Sequence, residues 1–440
     1  MNPDYIVSDF SRQVCAALDQ LLVDMMAGKR PILILGAPPQ HGKSDIVSRY
    51  LPAYFFGKYP DKRVAGLSYG SDLASDMNRD VQRIMMSDEY SKLFPESQLN
   101  DKRVVTVEKE ARRNSETFEI VGRNGAYIAQ GVGGPLTGKK VDLGIIDDPI
   151  KNAQEALSPT TKKGIWNWYV STFVTRMSKA SASIIMATRW AVDDLSGRII
   201  ESSPNARVLQ FPAIDGSGKA LVPELHPIEK LLETKALLGS YFWAAMYQQS
   251  PTVEGGRIIR GDWFVRYDEA PRFKKIIITA DTAQKTKEHN DFSVFIVAGL
   301  AHDGGIYLID LIRGKWEAPE LEQKTADVWN KYRAQKPTAI AIEDKASGTG
   351  LIQKIKREKQ IPVKAVQVEN DKYTRLLGVQ GYIESGYVHI PRNATWANDF
   401  ITECEAFTAD DTHTHDDQVD ALVMAINELK TGNVTVWDVL

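Results

Sequence analysis

The sequence predicts two consecutive α/β domains, the first built on a mostly parallel sheet and the second on a mixed sheet. Three observations carry this. In the first half, short apolar strands alternate with helix-length segments, the pattern of a parallel sheet covered by helices on both faces. A glycine-lysine-serine loop stands directly between the first such strand and a helix. In the second half, three consecutive strands precede alternating helices and strands. The 440 residues suffice for two or three domains with full cores.

Taken in order, residues 10–27 place Val14, Leu18, Leu21, Leu22 and Met25 at helical spacing. PILILG (31–36) reads as a buried strand, RVAGLSY (63–69) as a second, and 71–86 as a helix with Ser71 as N-cap. Strand-like stretches near 117–121 and 125–130 precede the run GVGGPLTG (131–138). VDLGIID (141–147) is another buried-type strand, Ser158-Pro159 opens a long helix, and ASIIMAT (182–188) is a further strand. In the second half, strands are predicted at 274–281, 291–300 and 305–312, the last two joined by the hairpin-type turn His302-Asp303-Gly304. A helix over 317–334, a strand at 338–344, a helix, a strand at 363–368 and further helices follow. That is the element order of the ribonuclease-H-like fold. The boundaries expected are 1–235 for the first domain, 236–270 for a linker with Gly255-Gly256 as its most flexible point, 271–430 for the second domain, and 431–440 for a tail.

Composition narrows the function classes. The formal net charge is -3, so any nucleic-acid contact must come from local basic patches rather than from a polycationic chain. Cys15 and Cys404 are the only cysteines, which argues for a reducing compartment and against a disulfide scaffold or zinc ribbon. No signal-peptide pattern opens the chain, and its apolar runs fall short of the ~20 residues of a membrane helix. A soluble, intracellular protein is expected.

The loop Ala37-Pro38-Pro39-Gln40-His41-Gly42-Lys43-Ser44 follows the G-x-x-x-x-G-K-[ST] pattern, with Ala37 in place of the first glycine. Gly42 lets backbone N–H groups close around phosphate oxygens, Lys43 brings positive charge to the β- and γ-phosphates, and Ser44 offers its hydroxyl to Mg²⁺ at a helix N-terminus. Asp147 and Asp148 end a strand where ligands bind in open α/β sheets, Asp147 suited to the metal and Asp148 to water activation. Thr188, in Met186-Ala187-Thr188-Arg189-Trp190, ends another strand; it either senses the γ-phosphate or is satisfied by backbone.

The second half carries carboxylates at three strand and helix ends: Asp281, Glu343 with Asp344, and Asp417 with Asp420, the last two sharing a helix face. Each alone reads more readily as a solvated or helix-capping acid. Together, in an RNase-H-like sheet, they are the set that two Mg²⁺ ions need for phosphodiester cleavage. Asp291 is either a further ligand or a turn cap. His413 and His415 are candidates to position water or substrate, with His413 reading more readily as solvated; His289, in a polar loop, carries no clear signal. The glycines of Ser347-Gly348-Thr349-Gly350 either let DNA backbone approach closely or belong to a plain loop before a helix.

The ordered motifs APPxHGKS, GVGGPLTG, IIDDP, ATRWxxDDL, TAD, IEDKASGTG and HDDQVDA resemble, over residues 10–428, the large terminase subunit of tailed bacteriophages. The resemblance implies an ASCE-type P-loop ATPase domain followed by an RNase-H-like, RuvC-like nuclease. It implies an ATP-driven motor that moves double-stranded DNA through the portal protein into the procapsid, and an endonuclease that cuts concatemeric DNA. Its implied partners are DNA, the portal, a small terminase subunit and further copies of the chain in a ring, usually of five. Its implied cofactors are ATP and Mg²⁺, with Mn²⁺ able to substitute in the nuclease. Its implied location is the host cytoplasm, with absence from the mature virion. By residue, Lys43 and Ser44 match the phosphate loop, Asp147 the magnesium carboxylate, Asp148 the catalytic one, Thr188 the coupling motif, and Asp281, Glu343 and Asp417 the nuclease triad, supported by Asp344 and Asp420. Gln40 stands where many relatives carry arginine. Arg79 and Arg83 are therefore candidates for an arginine finger acting on a neighbouring subunit, with Arg112, Arg113 and Arg189 as competitors. Two rival readings are a DNA translocase or helicase with a non-cleaving RNase-H-like domain and a non-catalytic assembly scaffold; the complete carboxylate and phosphate-loop sets argue against each.

Overall fold

In the computed structural model, the described residues are 5–102, 110–136, 138, 140–251, 258–282, 292–344, 346–368, 370–407 and 416–430. Asp291, His289, His413, His415, Thr137, Gly255-Gly256 and the tail 431–440 lie outside them. The chain forms two compact units, Met1–Leu231 with Phe242–Thr252, and Leu232–Tyr241 with Val253–Leu440. The stretch expected as a linker is thus shared between them. The helix Ile228–Phe242 is interrupted where Gly239 takes a φ of 77°, and residues 232–241 belong to the second unit.

The first unit is built on seven strands: β1 (Ile32–Gly36), β2 (Arg63–Ser68), β3 (Thr117–Glu119), β4 (Ala126–Gly131), β5 (Val141–Asp147), β6 (Met177–Ala187) and β7 (Arg207–Gln210). Their order is β3-β4-β2-β5-β6-β1-β7, parallel except for the β3–β4 pair. Both faces are buried, so the central strands are apolar without alternation. Leu33 and Leu35 enter a core with Val64, Leu143, Ile184 and Met186 on one face. Ile34 packs with Ala65, Leu67, Ile146 and Ile185 on the other. The period of two along a strand divides them. Since β5, β6 and β1 are parallel neighbours, whatever follows their C-terminal ends meets at one edge of the sheet.

The second unit also has seven strands: β8 (Val265–Tyr267), β9 (Phe273–Asp281), β10 (Ser293–Ala301), β11 (Ile306–Gly314), β12 (Ile340–Glu343), β13 (Val363–Val366) and β14 (Val388–Pro391), in the order β13-β12-β9-β10-β11-β14-β8. β9, β10 and β11 are antiparallel, and the remaining pairings are parallel. The mixed sheet agrees with the expected class. β9 and β12 run parallel with Ala280 opposite Ile342, so Asp281 and Glu343 leave the sheet at the same edge. The helix Asp417–Leu429 packs against β9, tied by the Thr279 hydroxyl donating to the Ala421 carbonyl at 2.9 Å.

Two local expectations are corrected. The 71–85 helix begins at Ser71 itself, with Gly70 in the extended cap position and no side-chain cap bond. Residues 347–350 are not a loop: they lie in the helix Ala346–Lys354. The glycine at 348 is there for packing. A Cβ on Gly348 would stand 1.9 Å from the Glu343 carbonyl oxygen, so only glycine lets this helix start so close to the end of β12.

Candidate functional site

The phosphate loop runs from the end of β1 into a π-helical turn (Asp45–Tyr50) and the helix Leu51–Lys58. Gly42 takes a φ of 82°, with nothing within 4 Å of where a Cβ would stand. Lys43 is buried, 5% exposed, although it carries a charge. Its ammonium donates to the Thr188 hydroxyl at 3.1 Å and lies 3.5 Å from Asp148 Oδ2. The loop, the β5 end and the β6 end therefore meet at one cation.

Asp147 is fully enclosed at the end of β5. Ser44 Oγ lies 3.4 Å from its Oδ1, and Ser48 Oγ donates to its Oδ2 at 2.6 Å. Burial first, then the charge on Asp148, push the Asp147 carboxyl up, while Ser48, Lys43 and Ser44 oppose them. A divalent cation at Ser44 and Asp147 offsets both causes, so this donor set fits Mg²⁺ bound with a nucleotide. Asp148 takes a left-handed φ of 43°, which is strained for a side-chain-bearing residue. It is held there by the Thr188 N–H donating to its Oδ1 at 2.8 Å. Ala37, at 0% exposure, is a packed position in which the missing first glycine is accommodated.

Ser48 escaped the sequence reading, although it stands four residues after Ser44 and so on the same helix face. If this site hydrolyses ATP, as the phosphate-loop pattern implies, replacing Ser48 by alanine should lower kcat about tenfold, the size expected for one hydrogen bond to a charged group. Steady-state phosphate release measures this; an unchanged rate would show that Asp147 needs no help from Ser48.

The arginines sort by their partners. Arg189 is buried against Asp194 at 2.8 Å and donates also to the Ala191 and Val192 carbonyls, so its role is internal. Arg112 is held by Glu119 at 2.6 Å. Arg113 donates to the Asn100 and Asp101 carbonyls at 2.7 and 2.8 Å. Arg79 and Arg83 lie exposed on the helix Ser71–Met85, each paired with an aspartate one turn earlier, Asp76 and Asp80 respectively. They line one surface groove with Gln82, Arg113 and Asn114.

In the second unit, Asp281, Glu343, Asp417 and Asp420 act on one another electrostatically. Burial, then Asp420, Asp417 and Glu343, hold the Asp281 carboxyl well above the usual range. Two cations from the helix Lys372–Glu384 enter the cluster. Arg375 lies 2.7 Å from Asp420 and 3.7 Å from Glu343, and Lys372 lies 3.0 Å from Asp420 and 2.6 Å from Asp416. Asp417 Oδ2 accepts from the Phe292 N–H at 3.1 Å and lies 3.8 Å from Arg313. The two carboxylate oxygens of Asp344 accept from Thr349 at 2.6 Å and Gln367 at 2.7 Å.

Glu403 was also not legible in the sequence. Its carboxylate accepts from the Gln418 backbone N–H at 2.8 Å and side-chain amide at 2.6 Å. It caps the helix that presents Asp417, in place of Asp416, which makes no cap bond of its own. Among the described residues, no group of three or more His, Cys, Asp or Glu is close enough to hold a metal ion as placed. The donor set is nevertheless of the right kind, hard carboxylate oxygens from three converging elements, and its mutual repulsion is what a divalent cation relieves.

A family model described as terminase large subunit, T4likevirus-type, N-terminal matches residues 34–266, more than half of the chain, and one described as terminase RNaseH-like domain matches 278–429. Solved structures of the large terminase from a thermophilic bacteriophage share the fold. One crystal form is 12% identical with a TM-score of 0.54, covering 93% of this chain and 98% of that one. The same phage's large terminase in complex with ADP is 12% identical with a TM-score of 0.53, covering 94% and 100%. In complex with ATP-gamma-S it is 13% identical with a TM-score of 0.52, covering 93% and 98%. No curated protein matches the chain. No helix among the described residues is long and apolar enough to cross a membrane.

Proposed function

Because the chain belongs to the terminase large-subunit family, we propose that it is both the motor and the nuclease of a phage DNA-packaging machine. In this reading, ATP hydrolysis in the first unit drives double-stranded DNA through the portal into the procapsid, and the second unit cuts concatemeric DNA. The observation that carries it is the meeting of Lys43 with Thr188 and Asp148, beside Ser44 and Asp147.

Ser44 and Asp147 would hold Mg²⁺, which would supply charge neutralisation at the β- and γ-phosphates. Lys43 binds the same phosphates from the loop. Asp148, held by the Thr188 amide, orients the attacking water and takes up its proton as ADP and phosphate form. Thr188 touches both Lys43 and Asp148, so loss of the γ-phosphate changes its two contacts together; this is the proposed coupling step. Arg79 or Arg83 serves as the finger towards a neighbouring subunit in the ring. In the nuclease, Asp281, Glu343, Asp417 and Asp420 would hold the divalent cations, Mg²⁺ or Mn²⁺, which supply an activated water and stabilise the leaving oxygen. Asp344 supports the end of β12 through Thr349 and Gln367. The portal, a small terminase subunit and a ring of copies in the host cytoplasm complete the setting, with the subunit released before the virion matures.

The test is direct. Purified protein should release phosphate from ATP with Mg²⁺ and should digest plasmid DNA with Mn²⁺. Absence of the first activity removes the motor, and absence of the second removes the nuclease.

A further inference from the structure

A phosphate loop works by turning successive backbone N–H groups inward, towards the anion. A peptide unit is planar and its C=O points opposite to the following N–H. Fixing a carbonyl outward therefore fixes the next amide inward. Two carbonyls of this loop are each held by an imidazole. His41 Nδ1 lies 2.7 Å from the Pro39 carbonyl, and His226 Nε2 lies 3.1 Å from the Gln40 carbonyl. The two rings stack on one another with centroids 4.2 Å apart and planes 22° from parallel.

Gln40 needs such a hold. Its φ of 58° is left-handed, a conformation that is strained for a side-chain-bearing residue. His41 is 2% exposed, and burial pushes its imidazole down to about 4, so it is neutral at physiological pH and Nδ1–H is the donor to Pro39. His226 comes from a distant part of the chain. Its own backbone N–H donates to the Val222 carbonyl at 2.9 Å, and Val222 is buried in the same core as β1. The loop is thus braced from a fixed point of the fold.

We infer that His226 is a positioning residue of the nucleotide site: by donating to the Gln40 carbonyl and stacking on His41 it holds the Gln40–His41 peptide with its N–H turned towards the nucleotide's phosphates. This deepens the ATPase reading and rests on it. The brace acts before chemistry, on how well the loop is shaped to receive phosphate. Its loss should therefore weaken nucleotide binding more than it slows the bound complex.

The experiment compares wild type, His226→Phe and His226→Gln in the full chain, with fluorescent ADP as the binding probe and steady-state ATP hydrolysis alongside. Phenylalanine keeps the stacked ring and loses the donor, while glutamine restores an N–H near the Nε2 position and loses the ring. His226→Phe should raise the ADP dissociation constant and the KM for ATP by about threefold to tenfold, the worth of one hydrogen bond, with kcat changed less than twofold. His226→Gln should recover most of that loss. If His226→Phe binds ADP as tightly as wild type, the brace is overturned while the ATPase reading stands. If wild type itself neither binds ADP nor hydrolyses ATP, the parent reading has failed instead. A fall in kcat with unchanged KM in both variants also overturns the inference, because it places His226 in the chemical step.

Discussion

Alanine at position 43 is expected to bring ATP hydrolysis down by at least about 10²- to 10³-fold, the usual consequence of deleting a preorganised cation from a transition state. The expectation is larger than for an exposed lysine because of what surrounds Lys43. It is 5% exposed, and it is the cation that faces Asp148 at 3.5 Å while donating to Thr188 at 3.1 Å. Removing it deletes the cation that the proposed phosphate contact needs. It also leaves adjacent carboxylates at 147 and 148 without the charge that helps to keep Asp147 ionised. Arginine would not repair the loss, since its planar fork is too large for a site shaped around a compact ammonium. Phosphate release and ADP binding read the effect, and Mn²⁺-dependent DNA cleavage by the same variant should persist, because its carboxylates belong to the other compact unit. A Lys43→Ala protein that hydrolyses ATP at the wild-type rate would refute the phosphate-loop assignment.

Much of this site was legible because its parts are contiguous in sequence and placed by strands of strong apolar character. VDLGIID and the end of SASIIMA deliver their polar residues directly at the end of a buried run, ILILG leads into the loop that carries Lys43, and parallel pairing then brings the three ends to one edge. What was missed is of two kinds. β7, β8 and β14 are short edge or near-edge strands, RVLQ, VRY and VHIP, of only three or four residues each, too few for a periodicity to mark them. The partners that set up each site come from far along the chain. His226 reaches Gln40, Glu403 reaches Gln418, and Arg375 reaches Glu343, and no local pattern announces such pairs. The glycine pair at 348 and 350 misled in the opposite direction. It suggested an open loop, whereas Gly348 is required for a helix to approach the Glu343 carbonyl.

Alanine at position 281 is expected to reduce metal-dependent DNA cleavage to background while leaving ATP hydrolysis within about twofold of wild type. Asp281 stands at the end of β9, and its carboxyl is raised by burial and by Asp420, Asp417 and Glu343. A raised carboxyl in the folded state means that its ionised form costs stability at neutral pH. In chelator, therefore, the variant should melt no lower than wild type, an activity residue whose loss does not harm the fold. Mg²⁺ or Mn²⁺ reverses the comparison. Binding only the folded state stabilises it by about 2.7 kcal/mol at a hundredfold excess over the dissociation constant, worth roughly 2–4 °C per kcal/mol in a domain of this size. Wild type should show that upward shift and Asp281→Ala should not. The measurement also decides between the two readings of the second unit. Arg375 and Lys372 already pair with Glu343, Asp420 and Asp416. If the cations displace these pairs, cleavage and the melting shift appear together and vanish together in the variant. If wild type shows neither, the ion pairs are the working state, and the unit is a charged DNA-binding platform that serves the motor without cutting.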